Sequence, residues 1–487
     1  MVKQELLANI VGKTNVITKE ATLESYAGDS SFVAAIRPDC IVKPRNTADV
    51  EKLVKFARET RTPLIPVSSG APHFRGDTVP TVGGAVIVDL SGMKKIIRVD
   101  RTNRVAMFEP GVIFGELIPA VTQEKLRLNM PLMPRRTKSV VGSLLEREPV
   151  QMPGYHWDLP DPLNCVEVVF GTGDIFRTGA AAGPGSIEEQ WAAGGAQVTA
   201  AGPSSVSWYR LIGGSQGTMG IVTWASVRCE LLPNVEAPYF VGSSDLNKLM
   251  EMVHWLVRLR IANECLILNN TNLAAMMTTT AEEYKAVKDS LPAWILFYNL
   301  AGYDYYPEER TRAHEEDAWG VAQRAGVEPA RKMGKVSAFE FLKAAQAPSP
   351  EPYWKLRTRG ACQDIPFITN FQGVEKTVNA MYQAVNQAGY PAPDMGVYIQ
   401  PLVQGANYHV EFNLFYDPDN RREANLVKDL TARVIDPLMA QGAFFSRPYG
   451  ENALTILNKD AATIQALLRV KSIFDPDNIM NPGKLCF

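Results

Sequence analysis

Between two apolar stretches of the chain lies the loop Pro66-Val67-Ser68-Ser69-Gly70-Ala71-Pro72-His73-Phe74-Arg75-Gly76, and the second of these stretches is Ala85-Val86-Ile87-Val88-Asp89-Leu90. Glycines and small residues allow successive backbone N–H groups to turn toward one point, which forms a concave site for an anion. By itself such a cluster is typical of an ordinary turn. A second glycine-rich loop, Gly213-Gly214-Ser215-Gln216-Gly217-Thr218-Met219-Gly220-Ile221, also leads into a β-branched stretch. Two such loops predict one large, phosphate-bearing cofactor.

Length and composition favour a soluble protein of two or three folding units that acts on small molecules. The chain has 487 residues, of which 46% are hydrophobic and 21% are charged, and its formal net charge is -2. A near-neutral chain without blocks of like charge gives no electrostatic basis for binding nucleic acid or an anionic membrane. Neither a signal peptide nor an apolar run of about 20 residues is present, so we predict a cytoplasmic protein without membrane insertion.

The six cysteines are scattered, and none forms a C-x-x-C pair. This spacing argues against a zinc ribbon, an iron–sulfur cluster or a disulfide framework, and it favours free thiols in a reducing compartment.

Apolar periodicity predicts an α+β protein that changes character near residue 233. The first part alternates short strands with amphipathic helices, such as a helix over residues 46–59 that Asn46 or Thr47 can cap. A hairpin is predicted around Gly171-Thr172-Gly173-Asp174. Longer helices follow residue 233, which indicates a second domain. In its strand over residues 407–416, His409, Glu411 and Asn413 share a polar face that could line a pocket.

Six segments stand in a fixed order after the first loop and carry a family likeness. They are VIVDL (86–90) with MKKI (93–96), FEPGV (108–112), SVVGSLLER (139–147), VEVVFGTGDIFRTG (166–179), GIVT (220–223) and DPDNIMNPGK (475–484). In this order they resemble the conserved segments of the FAD-linked oxidases of the vanillyl-alcohol oxidase and p-cresol methylhydroxylase type. The resemblance covers most of the chain. NAD is disfavoured independently, because no G-x-G-x-x-G opens a helix after the first strand.

The resemblance implies an FAD-binding domain made of two α+β halves and an α+β cap domain whose antiparallel sheet covers the isoalloxazine ring. The expected boundaries are 1–235 for the FAD-binding domain, 236–465 for the cap, and 466–487 for a C-terminal segment that returns to the FAD domain. The residues expected to bind FAD are Ser68, Ser69, Gly70, Ala71, Pro72, His73, Phe74, Gly76, Pro134, Ser139, Gly142, Ser143, Gly217, Gly220, Ile221 and Lys484.

The resemblance also suggests residues for hydride transfer to flavin N5. Asp158, with His156 near it, falls where the family has an acidic residue beside N5, and we expect it to act as a base or proton relay. Arg447 matches the family's active-site arginine, whose guanidinium could hold a phenolate, a carboxylate or the reduced flavin.

Two positions depart from the family pattern. Ser446 stands where the family has a phenol-binding tyrosine, and Arg75 stands where its cofactor loop has another. Tyr449 or Tyr155 could substitute for these, whereas an arginine at 75 favours an anionic substrate.

Two histidines raise further questions about cofactors. His73 is the candidate for covalent attachment of FAD, although contact with the pyrophosphate is the simpler role. His409 and Glu411 share a strand face, as two metal ligands would, but pocket-lining polar groups are the default and we expect no metal.

Three functions remain open from the sequence: oxidation of an alkylphenol or aryl alcohol, oxidation of a 2-hydroxy acid, and electron transfer by a flavin-carrying subunit. The electron acceptor is also open, and an electron-accepting partner protein is one alternative. We expect a homo-oligomer.

Overall fold

The computed structural model describes residues 2–153, 163–183, 185–194 and 209–487. Its strands are β1 Val16–Ile17, β2 Cys40–Val42, β3 Leu64–Val67, β4 Val86–Asp89, β5 Ile96–Asp100, β6 Val105–Phe108, β7 Leu126–Leu128, β8 Leu163–Phe170, β9 Ile175–Arg177, β10 Gly220–Leu231, β11 Val235–Ser243, β12 Glu264–Asn269, β13 Trp294–Gly302, β14 Pro329–Ala330, β15 Lys332–Met333, β16 Val336–Ser337, β17 Ala361–Thr369, β18 Met395–Leu402 and β19 Asn407–Tyr416.

The α-helices are α1 Val2–Val11, α2 Glu20–Glu24, α3 Thr47–Thr60, α4 Phe114–Gln123, α5 Val140–Leu145, α6 Ile187–Ala193, α7 Tyr209–Ile212, α8 Leu246–Arg258, α9 Asn270–Met277, α10 Ala281–Lys288, α11 Pro307–Ala325, α12 Ala338–Ala345, α13 Trp354–Arg357, α14 Phe371–Ala388, α15 Arg421–Ala440, α16 Glu451–Leu457 and α17 Ala461–Phe474. Within the described ranges, no helix combines the length and apolar character that a membrane span needs.

The first sheet has the order β1-β2-β4-β3, and β4 runs parallel to both β2 and β3. Its β4 strand is buried along its whole length, as expected for a parallel strand covered on both faces. Helix α3 begins where the sequence predicts, because the Asn46 side chain accepts a hydrogen bond from the Asp49 backbone N–H. The glycine- and serine-rich loop follows β3 directly, so the edge of this sheet positions it.

The second sheet is antiparallel, with the order β5-β6-β10-β8-β9, and β7 pairs with β10. The predicted hairpin is confirmed: β8 and β9 pair antiparallel, with Glu167 opposite Arg177. The second glycine-rich loop immediately precedes β10. The two predicted loops are therefore each fixed by a strand of a different sheet.

A seven-stranded antiparallel sheet, with the order β14-β11-β13-β12-β18-β19-β17, forms the second half of the molecule. Helices α8, α11, α14 and α15 pack on one face, where Tyr408, Val410 and Phe412 enter their core. The period of two then places His409, Glu411 and Asn413 on the other face, as predicted. The α+β class is confirmed, whereas the domain boundaries at residues 235 and 465 stay a prediction.

Candidate active site

A cavity of about 430 Å³ lies between the first two sheets and the seven-stranded sheet. Its first wall contains the loop after β3, the glycine-rich loop before β10, and helix α5. Its second wall consists of cap residues from α13, β17, β19 and α15, together with the segment around Arg447. The two walls are far apart in sequence, since about 130 residues separate Val222 on the first from Trp354 on the second, so only the tertiary fold brings these groups together.

The two loops of the first wall approach each other closely. Gly217 has a φ of +73°, and a Cβ built on it would lie 2.5 Å from Pro66 Cγ, so no larger residue fits there. The Ser139 backbone N–H donates to Ser69 Oγ at 2.9 Å, which fixes α5 against the first loop. Within the described residues, the backbone N–H groups of Ser69, Gly70 and residues 73–75 donate no hydrogen bond to the protein. They are donors available for an anion at the cavity wall.

The C-terminal segment donates hydrogen bonds to backbone carbonyl oxygens at both loops. Asn481 Nδ2 donates to Asp77 O at 2.8 Å and to Gln216 O at 2.7 Å. Lys484 Nζ donates to Gly76 O at 2.6 Å and to Val79 O at 2.7 Å. Burial lowers the pKa of Lys484 to about 8. Through these two hydrogen bonds Lys484 acts on the loop backbone, and it is not among the residues that line the cavity.

The charges on the first wall are largely compensated. The Arg75 guanidinium contacts Glu146 and lies 3.0 Å from Glu148 Oε1, and Lys138 Nζ lies 2.8–2.9 Å from the same two carboxylates. Burial opposes ionisation of Glu148, yet Lys138 and Arg75 hold its pKa well below the usual range. The Arg75 guanidinium also lies 5.2 Å from the centre of the Tyr449 ring. Because two carboxylates pair with it, Arg75 gives less support to an anionic substrate than its sequence position suggests.

His73 lines the same wall, and burial, reinforced by the nearby charge of Arg135, lowers the pKa of its imidazole to about 4. It is therefore neutral at neutral pH. Burial together with the charge of Glu146 raises the pKa of Asp77 to about 6.

The second wall, which we call the cap wall, carries a cluster of charged side chains. Lys355 Nζ lies 2.7 Å from Asp364 Oδ2 and 2.6 Å from Glu411 Oε1. Burial alone would lower the pKa of Lys355, but these two carboxylates hold it well above its usual range. Conversely, burial would raise the pKa of Glu411, but Lys355 holds it well below its usual range. Lys355 and Glu411 are therefore both ionised at neutral pH.

Arg447 differs from Arg75, Lys138 and Lys355 in having no close carboxylate partner among the described residues. Its side chain is only 2% exposed, and its nearest carboxylate oxygen, Glu411 Oε2, is 3.9 Å from Nη2. Neither Nη1 nor Nη2 has a hydrogen-bond partner within the described residues. Buried polar groups are nearly always hydrogen-bonded, so a cation with free donors in a cavity indicates a binding site for an anionic group.

Of the predicted site residues, Arg75, Arg447 and Tyr449 line the cavity, and so do Ser68, Ser69, His73, Phe74, Pro134, Gly142, Gly217, Gly220 and Ile221. The remaining predicted residues that the structure describes are adjacent to the lining but not part of it: Gly70, Ala71, Pro72, Gly76, Ser139, Ser143 and Lys484. Asp158 and His156 lie outside the described residues, as does Tyr155. Their roles stay predictions.

Sequence reasoning missed Lys355 and Asp364. Neither stands in a motif, and the only signal was that Asp364 lies in a strand-like stretch. The fold also bears on the metal question: Glu411 binds the Lys355 ammonium, and no group of three His, Cys, Asp or Glu side chains in the described ranges is placed to hold a metal ion.

Comparison with known proteins finds two matching family models and a similar fold. The model of the FAD binding domain matches residues 38–179, and the model of the C-terminal domain of FAD linked oxidases matches residues 449–485. The crystal structure of p-cresol methylhydroxylase with substrate bound superposes with a TM-score of 0.82, at 20% identity, over 100% of this chain and 96% of that one. The chain is an FAD-linked oxidoreductase with the p-cresol methylhydroxylase fold.

Two curated relatives align over nearly the full length of this oxidoreductase. The glycolate oxidase subunit GlcD of Bacillus subtilis is 24% identical over 492 residues, which cover 99% of this chain and 96% of the relative. A D-lactate dehydrogenase of Anaerostipes hadrus is 22% identical over 503 residues, which cover 99% and 97%.

The first wall fits FAD. Its loops offer free backbone N–H groups, and Gly142 faces the cavity where a Cβ would come within 3.2 Å of Ser68 Oγ. Such a surface admits a pyrophosphate close to the backbone. The second wall then lies opposite, and it carries Arg447, Lys355 and Glu411.

Proposed function

We propose that this FAD-linked oxidoreductase oxidises a small 2-hydroxy acid whose carboxylate binds Arg447. The observation that carries the proposal is the guanidinium of Arg447, which is buried at the cavity and has no hydrogen-bond partner within the described residues. A buried charge is costly unless it is paired, so the site gains most from a ligand that brings a negative charge. A guanidinium matches a carboxylate in two-point geometry.

Oxidation of a hydroxy acid removes a hydride from carbon and a proton from the hydroxyl group. FAD, when bound, supplies the hydride acceptor at N5. Arg447 binds the carboxylate and thereby orients the C–H bond, and we propose Asp158 as the group that receives the proton. The names of the two full-length relatives, for glycolate and D-lactate, support this substrate class.

An alkylphenol is the second candidate, and Tyr449 is the observation that favours it. Tyr449 lines the cavity, and burial raises the pKa of its phenol well above the usual value. It therefore remains protonated and could donate a hydrogen bond to a phenolate oxygen beside Arg447. However, Ser446 precedes Arg447 and Arg75 is paired with carboxylates, so a pair of tyrosines is not present at these positions.

An anaerobic titration of the holoenzyme decides between the two. Glycolate, D-lactate and L-lactate are compared with 4-cresol, and lactamide serves as a matched neutral control. We expect a hydroxy acid to bleach the flavin absorbance, and we expect lactamide and the Arg447→Met variant with the acid to bleach it at least tenfold less efficiently. Bleaching by 4-cresol alone, or equal bleaching by lactate and lactamide, would contradict the proposal.

Four further properties are proposals on the same footing. We propose that His73 contacts the FAD pyrophosphate without a covalent bond, which precipitation with acid tests, because covalently bound flavin stays in the pellet. We propose a cytoplasmic location and a homo-oligomeric state. Electron transfer to a partner protein is tested by following reoxidation of the reduced enzyme with and without oxygen.

A further inference from the structure

The cap wall holds two cations and two carboxylates in one buried cluster. Lys355 binds both Asp364 and Glu411, whereas Arg447 approaches only Glu411, at 3.9 Å. The cluster is therefore neutral as a whole, but its hydrogen bonds are distributed unequally. Lys355 binds both carboxylates, whereas Nη1 and Nη2 of Arg447 have no hydrogen-bond partner in the part of the chain that the structure describes.

The carboxylates are held in place from behind by two asparagines. Asn413 Nδ2 donates to Asp364 Oδ1 at 2.7 Å and to Glu411 Oε1 at 2.8 Å. Asn413 Oδ1 in turn accepts a hydrogen bond from Asn272 Nδ2 at 2.7 Å. A Cβ on Gly396 would collide with the Asn272 side chain, so Asn272 has little freedom to move. The arrangement of the charges is thus built into α9, β17, β18 and β19.

We propose that Lys355 is a positioning residue that determines the preference of the site for carboxylate substrates. By binding Glu411 and Asp364, it prevents Glu411 from closing the 3.9 Å gap to Arg447 and forming a hydrogen-bonded ion pair with it, and Arg447 stays open to the substrate carboxylate. This inference rests on the proposed function, since it assumes that Arg447 binds the substrate anion.

The role of Lys355 follows from the charge balance of the cluster. Without Lys355, two buried carboxylates face one cation, and the distance from Glu411 Oε2 to Arg447 Nη2 is short enough to close by a side-chain rotation. Removing one partner of a buried ion pair leaves an uncompensated charge that seeks a new partner. His409 Nε2 lies 3.5 Å from Glu411 Oε2, but burial lowers the pKa of its imidazole, so it is neutral at neutral pH. Arg447 is then the nearest charged partner in the described part of the chain, and an internal carboxylate competes with the substrate.

The test uses oxalate, a dicarboxylate without a C–H bond to oxidise, as a binding probe for the holoenzyme. Its dissociation constant is read from the perturbation of the flavin absorbance. We expect Lys355→Met to weaken oxalate binding at least tenfold, while Lys355→Arg stays within about threefold of the wild type. Protonation of Glu411, or of His409, whose Nε2 lies 3.5 Å from Glu411 Oε2, restores the charge balance, so oxalate binding to Lys355→Met recovers as the pH is lowered.

A double variant, Lys355→Met with Glu411→Gln, separates competition from general damage to the fold. It removes the competing carboxylate together with the lysine, so we expect it to bind oxalate within about threefold of the wild type. FAD content and far-UV circular dichroism accompany each measurement.

The outcomes distinguish this inference from the proposed function. If Arg447→Met weakens oxalate binding but Lys355→Met does not, the role of Lys355 is wrong and the role of Arg447 stands. A double variant that binds oxalate as weakly as folded Lys355→Met also overturns the inference. If Arg447→Met binds oxalate as the wild type does, the proposed function fails and the inference fails with it.

Discussion

Replacement of Lys484 by Met is expected to weaken FAD binding although Lys484 does not line the cavity. The Lys484 side chain is almost completely buried, and its ammonium donates to Gly76 O and Val79 O at the end of the first loop. A methionine fills a similar volume but donates no hydrogen bond. The loop backbone then loses an attachment on the side opposite the cofactor.

The magnitude follows from two opposing contributions. Each hydrogen bond from a charged donor contributes about 1.5–3 kcal/mol, so the pair contributes about 3–6 kcal/mol. The pKa of Lys484 falls from 10.5 to about 8 on burial. This shift corresponds to roughly 3 kcal/mol that desolvation takes back. About 0–3 kcal/mol remains, and because two carbonyl oxygens lose their partner we expect a loss in the upper part of this range, about 2 kcal/mol, equivalent to roughly a 30-fold increase in the dissociation constant for FAD.

Titration of the apoprotein with FAD, followed by quenching of flavin fluorescence, measures this constant directly. Lys459→Met is the matched control, because Lys459 forms an exposed pair with Asp436 that contributes at most about 1 kcal/mol. If Lys484→Met binds FAD within twofold of the wild type while Lys459→Met behaves as expected, the C-terminal segment does not control the loop.

Three further predictions concern the loops and the contact between the two halves. Burial lowers the pKa of His73 from 6.5 to about 4, so between these values this imidazole binds fewer protons in the folded protein than in the unfolded chain. Asp77, whose pKa is raised to about 6, acts in the opposite direction, so the effect is read against His73→Gln: relative to this variant, the wild-type apoprotein should lose up to about 3 kcal/mol of unfolding free energy in urea as the pH falls through this range. Gly217→Ala places a Cβ 2.5 Å from Pro66 Cγ in a left-handed conformation, and we expect at least tenfold weaker FAD binding by fluorescence. Arg127→Met leaves the buried Glu264 without its cation, and we expect about 3–5 kcal/mol of destabilisation in urea unfolding.

Local sequence patterns were sufficient to predict several of the elements around the cavity. The helix after Asn46 and the hairpin at Gly171 follow from capping and turn chemistry, and the structure confirms both. The polar face of β19 follows from a period of two, and the structure places Glu411 and Asn413 at the cavity. Each of these predictions depends only on residues close together in the sequence, which is why periodicity and turn rules could reach them.

The cap cluster could not be predicted in the same way. Lys355 belongs to a four-residue helix, and its two partners lie on neighbouring strands, one of them 56 residues away in the chain. No local rule relates a lysine to a carboxylate at that distance. The pairing depends on the register between β17 and β19, in which Ile365 faces Phe412, and this register is set by the packing of the whole sheet.

The two arginines at the cavity show why charge in a sequence is an incomplete argument for an anionic ligand. Arg75 stands in the cofactor loop, so its position alone favours an anion, but Glu146 and Glu148 compensate it in the fold. Arg447, in contrast, keeps both terminal nitrogens without a hydrogen-bond partner within the described residues. A buried guanidinium without hydrogen-bond partners gains more free energy from binding an anionic ligand than one that is already paired. Arg447 therefore supports a carboxylate substrate more strongly than Arg75 does, and this support depends on Lys355, which holds Glu411 away from Arg447.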